Sequence, residues 1–318
     1  MLTLSTRTAV AAALAEARGR GVSGEAIAAG LGISRVAVSK HVAALRALGY
    51  EIASAPRVGY RLERAPDACL PEEVAPLLRD ALWVACEGGP ELGSTNDEAK
   101  RLARAGAPEG TAVVAARQTG GRGRFGRTWE SPAGGAYVSC VLRPNLPPSD
   151  VAPLSLVVAA GAARGLATLG LDAGIKWPND LELDGRKLGG ILLEMAAEAD
   201  HVDWVVVGCG INVIGPGHAR AASVREVVPE VRVAEVAAAV LEGIAATYRE
   251  FLAAGFAGIA VECAARATLT GKQVTVRDAA GDVVAEGTVR GIDDGGALLL
   301  EREGLVSAVR AGEVTLRD

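Results

Sequence analysis

Aromatic residues are scarce: four Trp, four Tyr and three Phe make up 3% of the 318 residues. Alanine, valine and leucine must therefore fill any core, and half the chain is apolar. Histidines number three (His41, His201, His218) and stand far apart. That spacing leaves little material for a Ser-His-Asp machine or a His-rich metal site. The five cysteines (Cys69, Cys86, Cys140, Cys209, Cys263) are odd in number and contain no CxxC. A disulfide framework and a zinc cluster are both disfavoured, and a reducing compartment is expected. No signal-peptide core is visible at the N-terminus, and no run of about 18 apolar residues suggests a membrane span. A soluble, cytoplasmic protein is the expectation. A Walker GxxxxGK[ST] is also missing.

What is present exceeds one ordinary domain, since a single core stops growing near ~250–300 residues. The net charge of −5 conceals an asymmetry. Residues 1–66 carry nine Lys/Arg and four Asp/Glu, a balance of +5, which leaves −10 for the remainder. A basic end on an acidic body suggests a DNA-binding module joined to something else.

Within that basic end the pattern predicts helices over 5–18, 24–29 and 34–48, the last two capped by Ser23 and Ser34. Val38, Val42, Leu45 and Leu48 share one stripe of the third helix, placing Ser34, Arg35, Val36, Ser39, Lys40 and Arg46 toward the other side. Two short strands around 56–58 would form a β-wing. The glycine-containing turn at 30–32 and the positive balance favour a winged helix-turn-helix over a solvated three-helix bundle. Its third helix would meet DNA, with Arg and Lys on phosphates or guanine edges and Val36 on a thymine methyl.

The body is expected to begin near Glu72. Gly121-Arg-Gly123-Arg-Phe-Gly126 matches a dinucleotide fingerprint letter for letter, but the fingerprint must open a helix. Here the flanking segments, 112–117 and 136–142, both have strand composition, so that reading is rejected. What stands there is Arg117, Arg122, Arg124 and Arg127 on a glycine-rich loop with no acid between them. Guanidinium groups on such a loop suit a phosphate that must be wrapped and neutralised. A basic RNA-binding loop or a solvated turn is the plainer alternative. Four further segments add weight. Ser94-Thr95-Asn96 opens a helix, with Thr95 and Glu98 spaced as a capping box. Lys176-Trp-Pro-Asn-Asp180 ends an apolar stretch. Gly185-Arg-Lys-Leu-Gly-Gly190 introduces the strand 191–194, and Gly208-Cys-Gly-Ile-Asn212 follows the apolar strand 204–207. Helices are expected over 149–170 and 233–254. Beyond Leu269, alternating segments separated by Gly/Asp turns predict a small β-barrel.

These motifs, with Gln118, resemble in content and order the family of bifunctional biotin–protein ligases and biotin-operon repressors. The resemblance spans nearly the whole chain. It implies an α+β, multidomain fold: a winged helix-turn-helix (1–66), a mixed α/β ligase domain (72–268) and an SH3-like β-barrel (269–318). It also implies that Ser94, Thr95, Asn96 and Gln118 hold the biotin head, with Arg122, Gly123, Arg124 and Lys176 around its carboxylate. Arg122, Arg124, Arg127, Trp129, Asn179 and Asn212 would receive ATP and the adenylate. Lys176 and Arg124, with Asp180, would serve the chemistry, and Mg²⁺ would arrive with ATP. The implied reaction makes biotinyl-5′-AMP and passes biotin to a lysine of the biotin carboxyl carrier protein of acetyl-CoA carboxylase. Operator DNA of biotin-synthesis genes and an adenylate-promoted homodimer are the implied partners, with residues 213–223 as a lid. Position 125, a Phe inside the arginine loop, and the stretch after Asn212 depart from the family pattern. A lipoate–protein ligase and a biotin-sensing transcription factor without catalysis are the competing readings. The arginine loop and the winged helix speak against the first, and Lys176 against the second.

Overall fold

The computed structural model describes residues 2–215 and 221–317. Serine opens each helix of the N-terminal module. Ser5, Ser23 and Ser34 cap α1 (Thr6–Glu16), α2 (Gly24–Leu31) and α3 (Arg35–Ala47), each accepting the backbone N–H three residues on. This satisfies donors that a helix start leaves open. The expected stripe is buried: Val38, Val42 and Leu45 join Val10, Leu14, Ile27, Tyr50 and Ile52 in a cluster separate from the main core. Val36 on the opposite face is 65% exposed. Strands β1 (Glu51–Ala55) and β2 (Gly59–Arg64) pair antiparallel as the wing.

The short helix α4 (Pro71–Val74) follows the wing, and the chain's beginning also packs onto the sheet beyond it. Thr3 donates its N–H to Val84 O and bridges Ala85 in parallel. Two acids of α4 fasten the winged module: Arg7 pairs with Glu72, while Tyr50 and Arg232 both donate to Glu73.

The central sheet has seven strands: β3 (Ala85–Gly89), β4 (Thr111–Ala115), β5 (Gly135–Leu142), β6 (Gly174–Lys176), β7 (Asp180–Leu183), β8 (Arg186–Ala197) and β9 (Val202–Asn212). Their order is β3-β4-β5-β9-β8-β7-β6, with β3 and β4 parallel and the other pairs antiparallel. One face carries α5 (Thr95–Arg104), whose Ala99 and Ala103 pack with Val113, Val141, Trp204 and Val206. The main core also takes in α6 (Leu154–Thr168), α7 (Val233–Ala254) and α8 (Ala257–Ala265). With few aromatics to fill space, close backbone approach does part of the packing. A Cβ on Gly165 of α6 would fall on the Ala239 carbonyl of α7. One segment, Pro148–Thr168, has the length and mean hydropathy (1.5) to cross a membrane, but Asp150 and Arg164 interrupt it and two thirds of its most apolar stretch is buried inside the fold, as in a core helix. Helix α8 was not anticipated.

The C-terminal strands are β10 (Gln273–Arg277), β11 (Val283–Ile292), β12 (Leu298–Arg302), β13 (Leu305–Val309) and β14 (Glu313–Leu316). They form an antiparallel sheet in the order β13-β12-β11-β10-β14. The expected closure into a barrel is not seen, because no pairing joins β13 to β14 among the described residues. Val274, Val276, Leu298 and Val314 run into the main core, and Trp177 Nε1 donates to Gly296 O.

Candidate active site

One cavity of about 500 Å³ opens beside the central sheet. Its lining includes thirteen of the body residues singled out from the sequence: Ser94, Thr95, Asn96, Gln118, Arg122, Gly123, Arg124, Arg127, Trp129, Lys176, Asn179, Asp180 and Asn212; Arg117 is not among them and pairs with Glu91 instead. Segments more than a hundred residues apart converge there.

At one end the start of α5 presents neutral polar groups. Ser94, not Thr95, is the cap, accepting from Asp97 N. Thr95 is excluded from capping because its N–H and hydroxyl both meet Gln118 Oε1, at 2.7 and 3.1 Å. Gln118 Nε2 donates to Ser131 Oγ at 2.8 Å. The fully buried Ser139 hydroxyl lies 2.8 Å from Thr95 Oγ1 and 2.7 Å from Asn96 Oδ1. Buried polar groups paired this completely hold a fixed arrangement of donors and acceptors. Gly208 makes the space: a Cβ there would fall on Asn96 Oδ1.

The other end is cationic. Arg124 Nη1 donates to Asn179 Oδ1 and to Gly312 O, both at 3.2 Å. Burial and the neighbouring Arg127 charge pull the Arg124 guanidinium below its usual value, with Asp180 and Glu313 acting in the opposite sense. Arg127 pairs with Glu313 at the start of β14, so the C-terminal sheet reaches the cavity. Phe125 sits at φ 57 and half exposed, beneath Arg124 at 4.8 Å from its ring centre. Lys176 Nζ lies 3.5 Å from Glu182 Oε1, whereas Asp180 pairs with Lys187 at 2.8 Å. Lys187 in turn stands 5.2 Å over the Trp129 ring. The indole Nε1 is buried with no hydrogen-bond partner, and Gly210 leaves room for it, since a Cβ there would lie 2.7 Å away.

Two asparagines of the cavity wall are already engaged within the protein. Asn179 is engaged by Arg124 and by the backbone of Ile191 (Nδ2 to Ile191 O, 2.7 Å). Asn212 donates to Ala222 O at 3.1 Å and Lys187 O at 3.4 Å, anchoring the segment downstream. Of the expected lid 213–223, residues 216–220 lie outside the described residues. No acid lies between the loop arginines in the sequence, yet Arg122 pairs with Asp97 and Glu194 from other elements. Cys209 also lines the cavity, but burial pushes its thiol up to about 12, so it offers no nucleophile. Glu194, Ser139 and Glu313 were missed. An acid closing the otherwise apolar run 191–194 was a visible signal for the first.

On α3, Arg35, Val36, Ser39 and Lys40 are exposed, and Ser34 caps the helix. Arg46 behaves differently: its guanidinium donates to Ile52 O and Ser54 Oγ, tying α3 to the wing.

A neutral polar end and a cationic end make a cavity suited to a small molecule with an anionic group, on a body joined to a winged helix. A profile of the Biotin/lipoate A/B protein ligase family matches residues 88–212, an HTH domain matches 6–61, and a Biotin protein ligase C terminal domain matches 269–317. The chain is 34% identical to the Bifunctional ligase/repressor BirA of Bacillus spizizenii, over 93% of this chain and 94% of that one. It is 33% identical to the protein of the same name from Escherichia coli K12, over 95% of each. A solved Biotin protein ligase from Aquifex aeolicus in complex with biotin and ATP superposes with a TM-score of 0.63 at 28% identity, covering 73% of this chain and 98% of that one. The chain belongs to the biotin protein ligase family, in its form with an N-terminal helix-turn-helix domain.

Proposed function

We propose that the protein is an ATP-dependent biotin–protein ligase that also acts as a biotinyl-AMP-dependent repressor. The observation that carries the first half is the convergence of those thirteen body residues on one cavity. Biotin's neutral ureido head needs donors and acceptors rather than charge, which Ser94, Thr95, Asn96 and Gln118 offer. Its carboxylate points to Arg122, Gly123, Arg124 and Lys176, and the nucleotide lies on the side of Arg127 and Trp129. We assign Asn179 to orienting Arg124, and Asn212 to holding the chain that follows it.

In the first step a biotin carboxylate oxygen bonds to the α-phosphorus of ATP, and the bond to pyrophosphate breaks, its electron pair leaving on pyrophosphate. Both reactants are anions. Lys176, Arg122 and Arg124 supply fixed positive charge where negative charge develops, the contribution that preorganised sites make most strongly. In the second step a carrier lysine amine bonds to the acyl carbon, the bond to AMP breaks and the amine loses a proton. Asp180, paired with Lys187, orients that amine. The arginine loop keeps water from the mixed anhydride between steps. Among the described residues no group of three His, Cys, Asp or Glu could hold a metal ion. Mg²⁺ enters with ATP, bound chiefly by its phosphates.

The chain is built of three units, 1–66, 72–268 and 269–318, the last SH3-like in strand pattern although open in pairing among the described residues. The carrier is a biotin carboxyl carrier protein, and the DNA is an operator read by α3. A homodimer is favoured by β8, since among the described residues no strand pairs with the outer side of 192–197. Open edges accept a second strand. Five free buried thiols suit a cytoplasmic location. Release of pyrophosphate with formation of biotinyl-AMP from biotin and ATP-Mg tests the first step. No pyrophosphate under saturating biotin would overturn the ligase reading.

A further inference from the structure

Glu194 does not line the cavity, yet it is bonded to both of its ends. One carboxylate oxygen, Oε2, accepts from Asn96 Nδ2 at 3.0 Å and from Arg122 Nη2 at 2.9 Å. The other, Oε1, accepts from Lys100 Nζ at 2.7 Å. Arg122 and Lys100 also share Asp97 Oδ1, at 2.7 and 2.9 Å. Two cations and two anions thus form a closed, neutral network behind the site. The other Asn96 Nδ2 hydrogen goes to Leu192 O at 3.2 Å, and Oδ1 accepts from Ser139 with one acceptor site left for a ligand. Losing Glu194 would leave Asn96 short of an acceptor, and Arg122 with only the half-exposed Asp97.

We propose that Glu194 is a positioning residue, tying Asn96 at the head-group end to Arg122 of the arginine loop so that both grip biotin as one unit. The proposal rests on the ligase reading above. An ion pair as solvent-accessible as Arg122–Glu194 contributes little to stability by itself. The shared oxygen instead constrains two cavity walls relative to each other, and a rigid first layer around a ligand depends on such supporting bonds. Burial pushes the Glu194 carboxyl up, but Lys100, Asn96 and Arg122 more than offset this, holding it below the ordinary range and ionised.

The test compares wild type, Glu194→Gln and Glu194→Ala, with Lys100→Met as a second route should the alanine variant misfold. Biotin binding is measured by calorimetry without ATP, KM for biotin and for ATP by labelling of a carrier domain, and Tm in parallel. Glu194→Gln should weaken biotin binding about tenfold, the range for one charge-assisted bond, while KM for ATP and Tm hold. Lys100→Met should move biotin affinity the same way by less. Glu194→Ala combined with Arg122→Ala should cost less than the sum of the two. An unchanged biotin affinity in folded Glu194→Gln would overturn the assignment. So would equal rises in both KM values accompanied by a fall in Tm. A wild type that binds biotin but never labels a carrier contradicts the ligase reading; weaker binding by Glu194→Gln would still support the positioning role. A wild type that binds no biotin overturns both.

Discussion

Lys176 Nζ stands 3.5 Å from Glu182 Oε1, an ammonium at the cavity wall held by a carboxylate that is itself almost buried. The two lie on neighbouring strands, β6 and β7, whose register sets Lys176 opposite Asp180. Asp180 nevertheless turns to Lys187. Lys176 and Asp180 therefore have separate partners, and each can be changed without unpairing the other.

Lys176→Ala should lower adenylate formation by ~10²–10³, the usual effect of removing one electrostatic donor from a transition state. It also leaves Glu182 without its cation, so Tm should fall slightly while the circular dichroism spectrum is kept. Pyrophosphate release near the wild-type rate would remove Lys176 from the chemistry.

The two glycines of β9 predict a division of labour. Gly208→Ala would push on Asn96, and Gly210→Ala on the Trp129 indole. KM for biotin should rise in the first and KM for ATP in the second, each with little effect on the other substrate. Steady-state kinetics on both variants decides this; a common effect on both constants would mean that the sheet has shifted rather than one wall.

Asp80 predicts a pH dependence. Burial alone would raise its carboxyl, but the Arg249 guanidinium and the Leu82 N–H outweigh burial and hold it below the ordinary value. A depressed folded value means that the stabilisation is complete above about pH 4 and disappears as pH falls through the folded value. Asp80→Asn should lower Tm at neutral pH and converge with wild type in acid. Parallel Tm curves down to the acid limit would argue against the pair.

The recognition helix offers a contrast between two cations. Lys40 is free for phosphate, so Lys40→Ala should weaken DNA binding across sequences and reduce the salt slope by about 1. Arg46 is engaged with Ile52 O, so Arg46→Ala should first loosen the wing, at about 1 kcal/mol of stability. Fluorescence anisotropy over a salt series, with Tm, separates them. Sedimentation with and without biotin plus ATP then tests whether the adenylate raises dimerisation and DNA affinity together, as one coupling free energy requires.

Much of this was legible from the residues because local patterns and structure agree. Serine caps, the Val38–Val42–Leu45 stripe and the 233–254 helix appear where their spacing places them. What was not legible is tertiary. The Thr95–Glu98 spacing suggested a cap, but Gln118 and Ser139 claim Thr95, and Glu98 pairs with Arg101 instead. The acid partners of Arg122 and Arg127, namely Asp97, Glu194 and Glu313, come from α5, β8 and β14, far from the loop in sequence. Helix α8 escaped notice because Gly255 ends α7 two residues earlier, and nine residues without an N-terminal side-chain cap carry little local signal.

The central claim is transfer of biotin to protein. Intact-mass spectrometry of a biotin carrier domain, incubated with the enzyme, biotin and ATP-Mg, tests it most directly. A gain of one biotinyl group on the acceptor lysine, dependent on ATP and lost in Lys176→Ala, is the predicted result. An unmodified carrier after prolonged incubation with folded wild-type protein would contradict it.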